Sequence, residues 1–191
     1  MDALKVWTIQ PFAAWEQFQQ QGVITCQARF VDSYDKPAYA WMRRQMARRL
    51  PGYQGDWPVW VWVKWDKTSP RPDISAEGHF PHGQKGVMLE CLIPQESVLI
   101  SDFELWHFVM NNQYLSLSEA ESEKWEARAA SGTITPATLL EEKEKSWEKI
   151  FDFTPPRDPD WIGDKSEAQL QGCIESLRLD QIVTVTPFTA R

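Results

Sequence analysis

The stretch Gln169-Leu170-Gln171-Gly172-Cys173-Ile174-Glu175-Ser176-Leu177-Arg178 decides the predicted fold. Side chains on a strand alternate between two faces, so Gln171, Cys173 and Glu175 are predicted to share one polar face. An apolar strand follows this polar one, and a loop rich in Pro and Asp at 152–168 precedes it. This order indicates a site in which one strand supplies polar groups and the loop selects the partner.

The opening strand, residues 4–9, also leads into polar positions, because Thr8 and Gln10 fall on one of its faces. Polar strand faces at both ends of a chain are typical of strands that meet in one cleft. We therefore expect Thr8 or Gln10 to lie within about 10 Å of Gln171, which is two strand spacings.

Length and composition predict one domain over residues 1–191, with a helical insertion at about 115–150. Strands and helices mix without regular βαβ alternation, which favours an α+β fold. The sequence contains no apolar run long enough to cross a membrane and no export signal, and its three cysteines are widely spaced. These features predict a cytoplasmic protein with reduced thiols and no membrane partner.

The common nucleotide-binding and hydrolase motifs are absent from the sequence. His79 and His82 lie three residues apart in a loop, but no further ligands are suitably spaced, so no metal site is predicted. Cys173 and His107 have the chemistry of a thiol nucleophile and its base, and a small core thiol is the alternative interpretation.

Four arginines lie within about two turns of the predicted helix 37–50, at Arg43, Arg44, Arg48 and Arg49. Guanidinium groups in this density suit phosphate or RNA contact, although a net charge of −7 argues against bulk binding of nucleic acid. A solvated helix face is the alternative interpretation.

Two further stretches offer groups to a ligand. Trp60 and Trp62 share one face of a strand, where they either pack against helices or form a stacking wall for nicotinamide or adenine. The helix start at residues 101–111 carries Asp102, His107 and Asn111. Ser101 is predicted as its N-cap, as Ser118 and Thr135 are for the next two helices. Free N–H groups at a helix N-terminus suit pyrophosphate, and simple helix capping by Asp102 is the alternative.

Four stretches resemble a bacterial family of small Trp-rich proteins classed as a domain of unknown function. They are the Val6 to Gln10 strand, the Pro58 to Trp62 strand, the Ser101 to His107 helix start and the Gln171 to Leu179 strand. This resemblance spans nearly the whole chain and implies no activity.

The order of elements is also similar to the ADP-ribosyltransferase fold, especially its DNA-targeting toxin branch. In that family the first strand carries a His or Arg that binds NAD. A strand near the end of the chain, which follows a recognition loop, carries the motif Gln/Glu-x-Glu. Thr8 falls where the His or Arg of the first strand is expected, and the 152–168 loop falls where the recognition loop is expected. Gln171 matches the first residue of the Gln/Glu-x-Glu motif. Cys173 stands where the catalytic Glu is expected, and Glu175 follows two residues later on the same predicted face.

The resemblance implies an NAD-dependent ADP-ribosyltransferase, of a toxin or phage-defence system, that modifies a nucleic acid or protein and has an antitoxin partner. Glu175 and Gln171 would be catalytic, with Glu175 stabilising the positive charge as nicotinamide leaves. Thr8, Gln10, Trp62, Asp102, His107 and Asn111 would contact NAD, which is a substrate, and no metal is implied. A binding module with a degenerate cleft and an RNA-binding protein are the alternatives.

Overall fold

A computed structural model describes residues 2–191. Eight strands and six α-helices form a mixed α+β architecture, which confirms the predicted class. The strands are β1 Ala3–Pro11, β2 Val23–Thr25, β3 Val59–Lys64, β4 Lys85–Pro94, β5 Leu99–Asp102, β6 Leu170–Ile174, β7 Ser176–Arg178 and β8 Ile182–Thr189. The helices are α1 Phe12–Gln21, α2 Lys36–Arg49, α3 Phe103–Met110, α4 Glu119–Ala130, α5 Pro136–Ser146 and α6 Pro159–Ile162.

Six strands form one sheet in the order β5-β6-β3-β1-β4-β8, and β2 pairs with β7 in a second, two-stranded sheet. β1 lies at the centre and is antiparallel to both β3 and β4. Only β3 separates β1 from β6, so the opening and closing strands belong to one sheet, roughly 10 Å apart by strand spacing.

One face of the large sheet forms the main core. Valines and other aliphatic residues of successive strands pack there with Phe18 of α1. The helix α1 follows β1 directly and ends at Gly22, whose positive φ of 75° lets its N–H bond back to the Phe18 carbonyl. The opposite face carries tryptophans, among them Trp7 and Trp62, which are register partners across β1 and β3.

The described chain separates into two compact units, residues 2–100 with 171–191, and residues 101–170. We call them the sheet unit and the helical unit. The helical unit contains α3 to α6 and is longer at both ends than the predicted insertion at 115–150. A single domain over 1–191 stays a prediction.

The helix caps within the helical unit follow the sequence with one correction. Ser118 and Thr135 accept hydrogen bonds from backbone N–H groups as the N-caps of α4 and α5. Asp102, and not Ser101, caps α3, because its carboxylate accepts the N–H of Leu105. Among residues 2–191, no helix has both the length and the apolarity needed to cross a membrane.

The predicted polar strand at 169–178 is interrupted. A bend at Glu175 divides it into β6, which joins the large sheet, and β7, which pairs with β2. Alternation along the sequence carries no information about such a change of sheet, so the predicted single strand at 169–178 is two strands. A shared face of Gln171, Cys173 and Glu175 stays a prediction.

Candidate functional site

The polar face of the closing strand is buried. Gln171 is 6% exposed, and its amide Nε2 has no hydrogen-bond partner among the described residues. Cys173 is fully buried, and burial raises the pKa of its thiol well above the ordinary value. A neutral thiol is a poor nucleophile, so the core-thiol interpretation fits this position better than the nucleophile interpretation.

The helix α2 packs on the same side of the sheet as these residues. The Tyr39 ring meets the Trp60 ring edge-on at 5.7 Å between centroids. Burial raises the pKa of Tyr39 to about 12. The face on which the sequence predicted an open cleft therefore carries packed aromatic rings.

Thr8 and Gln10 lie on the other face of the sheet. Because Trp7 pairs with Trp62, their neighbours Thr8 and Val61 both point away from the tryptophan face. Thr8 is 2% exposed, and its hydroxyl donates to the Trp60 carbonyl at 3.0 Å and accepts from the Gln10 amide at 2.9 Å. Both polar side chains are thus paired within the core side of the sheet.

Gly172 shows on which face Gln171 lies. A Cβ added to Gly172 would stand 3.2 Å from a methyl of Val61 and 2.6 Å from a methyl of Val98, so this position faces the core. Gln171 and Cys173, as its strand neighbours, face the opposite side. The prediction that Thr8 or Gln10 shares a cleft with Gln171 is wrong, although the two strands are as close in the sheet as expected.

Glu175 holds a turn. Its Oε1 accepts the backbone N–H groups of Gln54 at 2.7 Å and Asp56 at 3.2 Å. A carboxylate that binds two amide groups supplies the charge-assisted hydrogen bonds that a turn lacks internally. The sheet unit therefore gives Glu175 a structural contact with the segment after α2.

Arg43, from the predicted arginine surface, contacts the same turn. Its guanidinium donates to the Gly55 carbonyl and stacks over the Trp57 ring at 4.8 Å. Arg44, Arg48 and Arg49 are exposed on α2, and Arg49 also donates to Gln45 at 3.3 Å. The four arginines thus divide into one that is part of the fold and three on the surface.

Trp62 belongs to a row of aromatic rings on the tryptophan face. It meets Trp65 edge-on at 4.7 Å, Trp65 contacts His79 at 5.6 Å, and His79 contacts Phe188 at 6.0 Å. The row joins β3 and β8 to the long loop between β3 and β4. These contacts are those expected of packing, which was the alternative to a stacking wall.

Asp102 is fully buried in the helical unit, where both carboxylate oxygens have partners. Oδ1 accepts the Leu105 N–H at 3.0 Å, and Oδ2 pairs with the Arg157 guanidinium at 2.7 Å. The Arg157 side chain is 6% exposed, and sequence reasoning did not single it out. The carboxylate thus occupies the helix N-terminus that was predicted to hold pyrophosphate.

His107 and Asn111 lie toward the other end of α3. Both are exposed, and His107 stacks edge-on with Phe103 at 4.8 Å. Asn111 is about 13 Å along the helix axis from Asp102, by the rise of an α-helix. These three residues are therefore not brought together at the helix start.

The 152–168 loop is anchored within the helical unit. Asp158 caps the short helix α6, and its N–H donates to the Leu117 carbonyl at 2.9 Å. The Trp161 indole donates to the Ser116 hydroxyl at 3.2 Å. These contacts hold the segment against residues 116–117 of the helical unit, and its role as a recognition loop stays a prediction.

A cavity of about 430 Å³ lies in the helical unit, and sequence reasoning missed it. The rings of Tyr114 and Trp125 form part of its wall, stacked 4.7 Å apart and 14° from parallel. This volume falls within the range of small-molecule sites. The signal in the sequence was Trp125, the one aromatic residue in a segment, 119–130, that is otherwise charged residues, alanines and a serine. A large aromatic side chain in such a segment indicates a packing contact.

Both acidic residues of the cavity are paired. Glu121 accepts hydrogen bonds from Lys149, from the Tyr114 hydroxyl at 3.1 Å and from the Leu117 N–H at 2.8 Å. Burial opposes the charge of Glu121, but these partners outweigh it and hold the pKa of its carboxyl below the usual value. Glu142 pairs with Arg128 at 2.8 Å.

The remaining cations of the cavity are Lys124 and Lys145, both exposed. Throughout the described chain, neither has an ion-pair partner. With the two acid–base pairs neutralised, the cavity keeps a charge of about +2 in a chain whose net charge is −7. Within residues 2–191, no group of three or more His, Cys, Asp or Glu is arranged to hold a metal ion.

Comparison with known proteins gives a family and no activity. A family model described as Domain of unknown function (DUF3841) matches residues 5–183, so the chain belongs to that family. No curated protein and no solved structure matches the chain.

Proposed function

We propose that this chain is a non-catalytic binding module, built on an ADP-ribosyltransferase-like core that lacks a working transferase cleft. One observation carries the proposal. Thr8 and Gln10 point to one face of the large sheet and Gln171 and Cys173 to the other. A transferase must bring the groups that hold NAD and the group that stabilises its transition state to one side of the ligand.

The roles of the carboxylates support the same proposal. Glu175 accepts two backbone N–H groups, and Asp102 caps α3 and pairs with Arg157. Both oxygens of Asp102 have partners, and Oε1 of Glu175 accepts two hydrogen bonds, so each carboxylate has less capacity to bind a ribose hydroxyl. The thiol at the expected Glu position adds no negative charge near neutral pH, because burial raises its pKa.

The test is an NAD-consumption assay on the intact chain, with labelled NAD and with nucleic acid or cell protein as the acceptor. We expect nicotinamide release equal to that of a buffer blank, for the wild type and for Glu175→Gln alike. Release by the wild type that Glu175→Gln abolishes would overturn the proposal and establish the transferase.

RNA binding is the second candidate, and the exposure of Arg44, Arg48 and Arg49 on α2 favours it. Replacing these three by Gln removes positive charge that would face phosphates, so it should weaken RNA binding and flatten its salt dependence. Replacement of exposed Lys36, Arg71 and Lys85 by Gln gives the same change in net charge and serves as control. Equal RNA binding by both triple variants would show that the three arginines are solvent-exposed residues with no specific role in RNA binding.

A further inference from the structure

The cavity of the helical unit has the composition of a site for a small anion. Its acidic side chains are bound by Lys149 and Arg128, whereas Lys124 and Lys145 are exposed and make no ion pair in the described chain. Exposed positive charges that line a concave surface raise the local concentration of anions. The side chains that line the cavity carry four positive and two negative charges, in a chain whose net charge is −7.

The wall adds an apolar requirement. The Tyr114 and Trp125 rings are stacked on each other, so each covers one face of its neighbour, and Lys149 lies over the Tyr114 ring at 5.3 Å from its centroid. Burial, together with Glu121, raises the pKa of Tyr114 to about 12, so its hydroxyl stays neutral and adds no negative charge. A ligand that matches both features combines an anionic oxygen group with a planar organic part.

We propose that this cavity binds a phosphate monoester that carries a planar ring. Lys124 and Lys145 pair with its phosphate, whose charge is about −1.5 to −2 at neutral pH, and the ring contacts the Tyr114–Trp125 wall. The volume of about 430 Å³ suits a molecule of mononucleotide size. This assignment deepens the binding-module proposal and rests on it.

The test is isothermal titration calorimetry on the intact chain, with adenosine monophosphate as the probe. Adenosine supplies the ring without phosphate, inorganic phosphate supplies the charge without the ring, and phthalate supplies a planar dicarboxylate. We expect the monophosphate to bind more tightly than all three, and to bind more weakly as salt rises.

The matched variants are Lys124→Gln with Lys145→Gln, and Lys36→Gln with Lys85→Gln. Both pairs change the net charge equally, but the second pair lies in the sheet unit. The first pair should weaken binding by about tenfold or more, on the scale of a charge-assisted hydrogen bond, and the second should leave it unchanged. Thermal melting of both pairs checks that the fold is intact.

No binding of the monophosphate by the wild type, or equal binding by the cavity variant, would overturn the assignment. Adenosine that binds as tightly as adenosine monophosphate would show that the lysine charges do not contribute to binding. Phthalate that binds as tightly would show that the cavity does not select phosphate. Either result would also overturn the assignment. Failure of the proposed function is a separate result, because it is detected as NAD consumption and not as monophosphate binding.

Discussion

Glu175 shows how one carboxylate can suit catalysis by its chemistry and still serve the fold. It bonds to two amide groups of the turn after α2. We predict that Glu175→Gln lowers the free energy of unfolding by about 1 kcal/mol, because a neutral amide oxygen is a weaker acceptor than a carboxylate. Urea unfolding measures the change, and Glu16→Gln on the exposed side of α1 is the control. Equal midpoints for both variants would contradict a structural role for Glu175.

Gly172 sets how closely β6 approaches the core. A Cβ at this position would come within 2.6 Å of a Val98 methyl. We predict that Gly172→Ala costs about 1–3 kcal/mol of stability through overpacking. The cost should be smaller in a Val98→Ala background, because that substitution removes the clashing methyl. A double-mutant cycle that gives no coupling between the two positions would show that the strand relaxes freely.

At the scale of elements, a buried ion pair joins the start of α3 to the 152–168 loop. We predict that Arg157→Met destabilises the protein by about 3 kcal/mol, because it leaves the buried charge of Asp102 without its partner. Arg128→Met is the matched control, since it breaks an ion pair whose side chains are 50% and 31% exposed. Its expected cost, measured by the same denaturant unfolding, is below about 1 kcal/mol. Similar losses of unfolding free energy in both variants would show that the Asp102–Arg157 pair is more solvent-exposed than it is in the structure.

Whole-molecule stability should fall at alkaline pH. The pKa of Tyr39 and that of Tyr114 are each raised by burial from 10.0 to about 12. A raised folded pKa contributes stability that is complete below the unfolded value and is lost as pH rises from about 10 to 12. We predict a falling unfolding midpoint over this window, measured in denaturant with a reductant present.

The variants assign this loss to particular rings. Tyr39→Phe with Tyr114→Phe should reduce the alkaline slope, because two ionising hydroxyls are removed while the buried thiol of Cys91 remains. Tyr34→Phe should leave the slope unchanged, because Tyr34 is 72% exposed. A slope that all three substitutions leave intact would place the alkaline titration elsewhere, for instance at Cys91, whose pKa burial raises to about 12.

The sequence by itself determined the local structure. Apolar alternation placed β1 and β3, and the side chains of Ser118 and Thr135 marked where α4 and α5 begin. These features depend on contacts between residues close together in sequence, so a short stretch of sequence is enough to predict them. The mixed α+β class followed from the same local signals.

Only the tertiary structure decided which polar groups meet. The face to which Gln171 points relative to Thr8 depends on the register of β1, β3 and β6, and strand alternation within one segment cannot fix that relation. Glu175 received its partners because a bend turns β7 toward β2 and brings the carboxylate to the 52–57 turn. The cavity beside Tyr114 and Trp125 likewise exists only once distant residues such as Lys149 fold against them. Side-chain chemistry is set by each residue alone, whereas a site requires residues far apart in sequence to share one small volume.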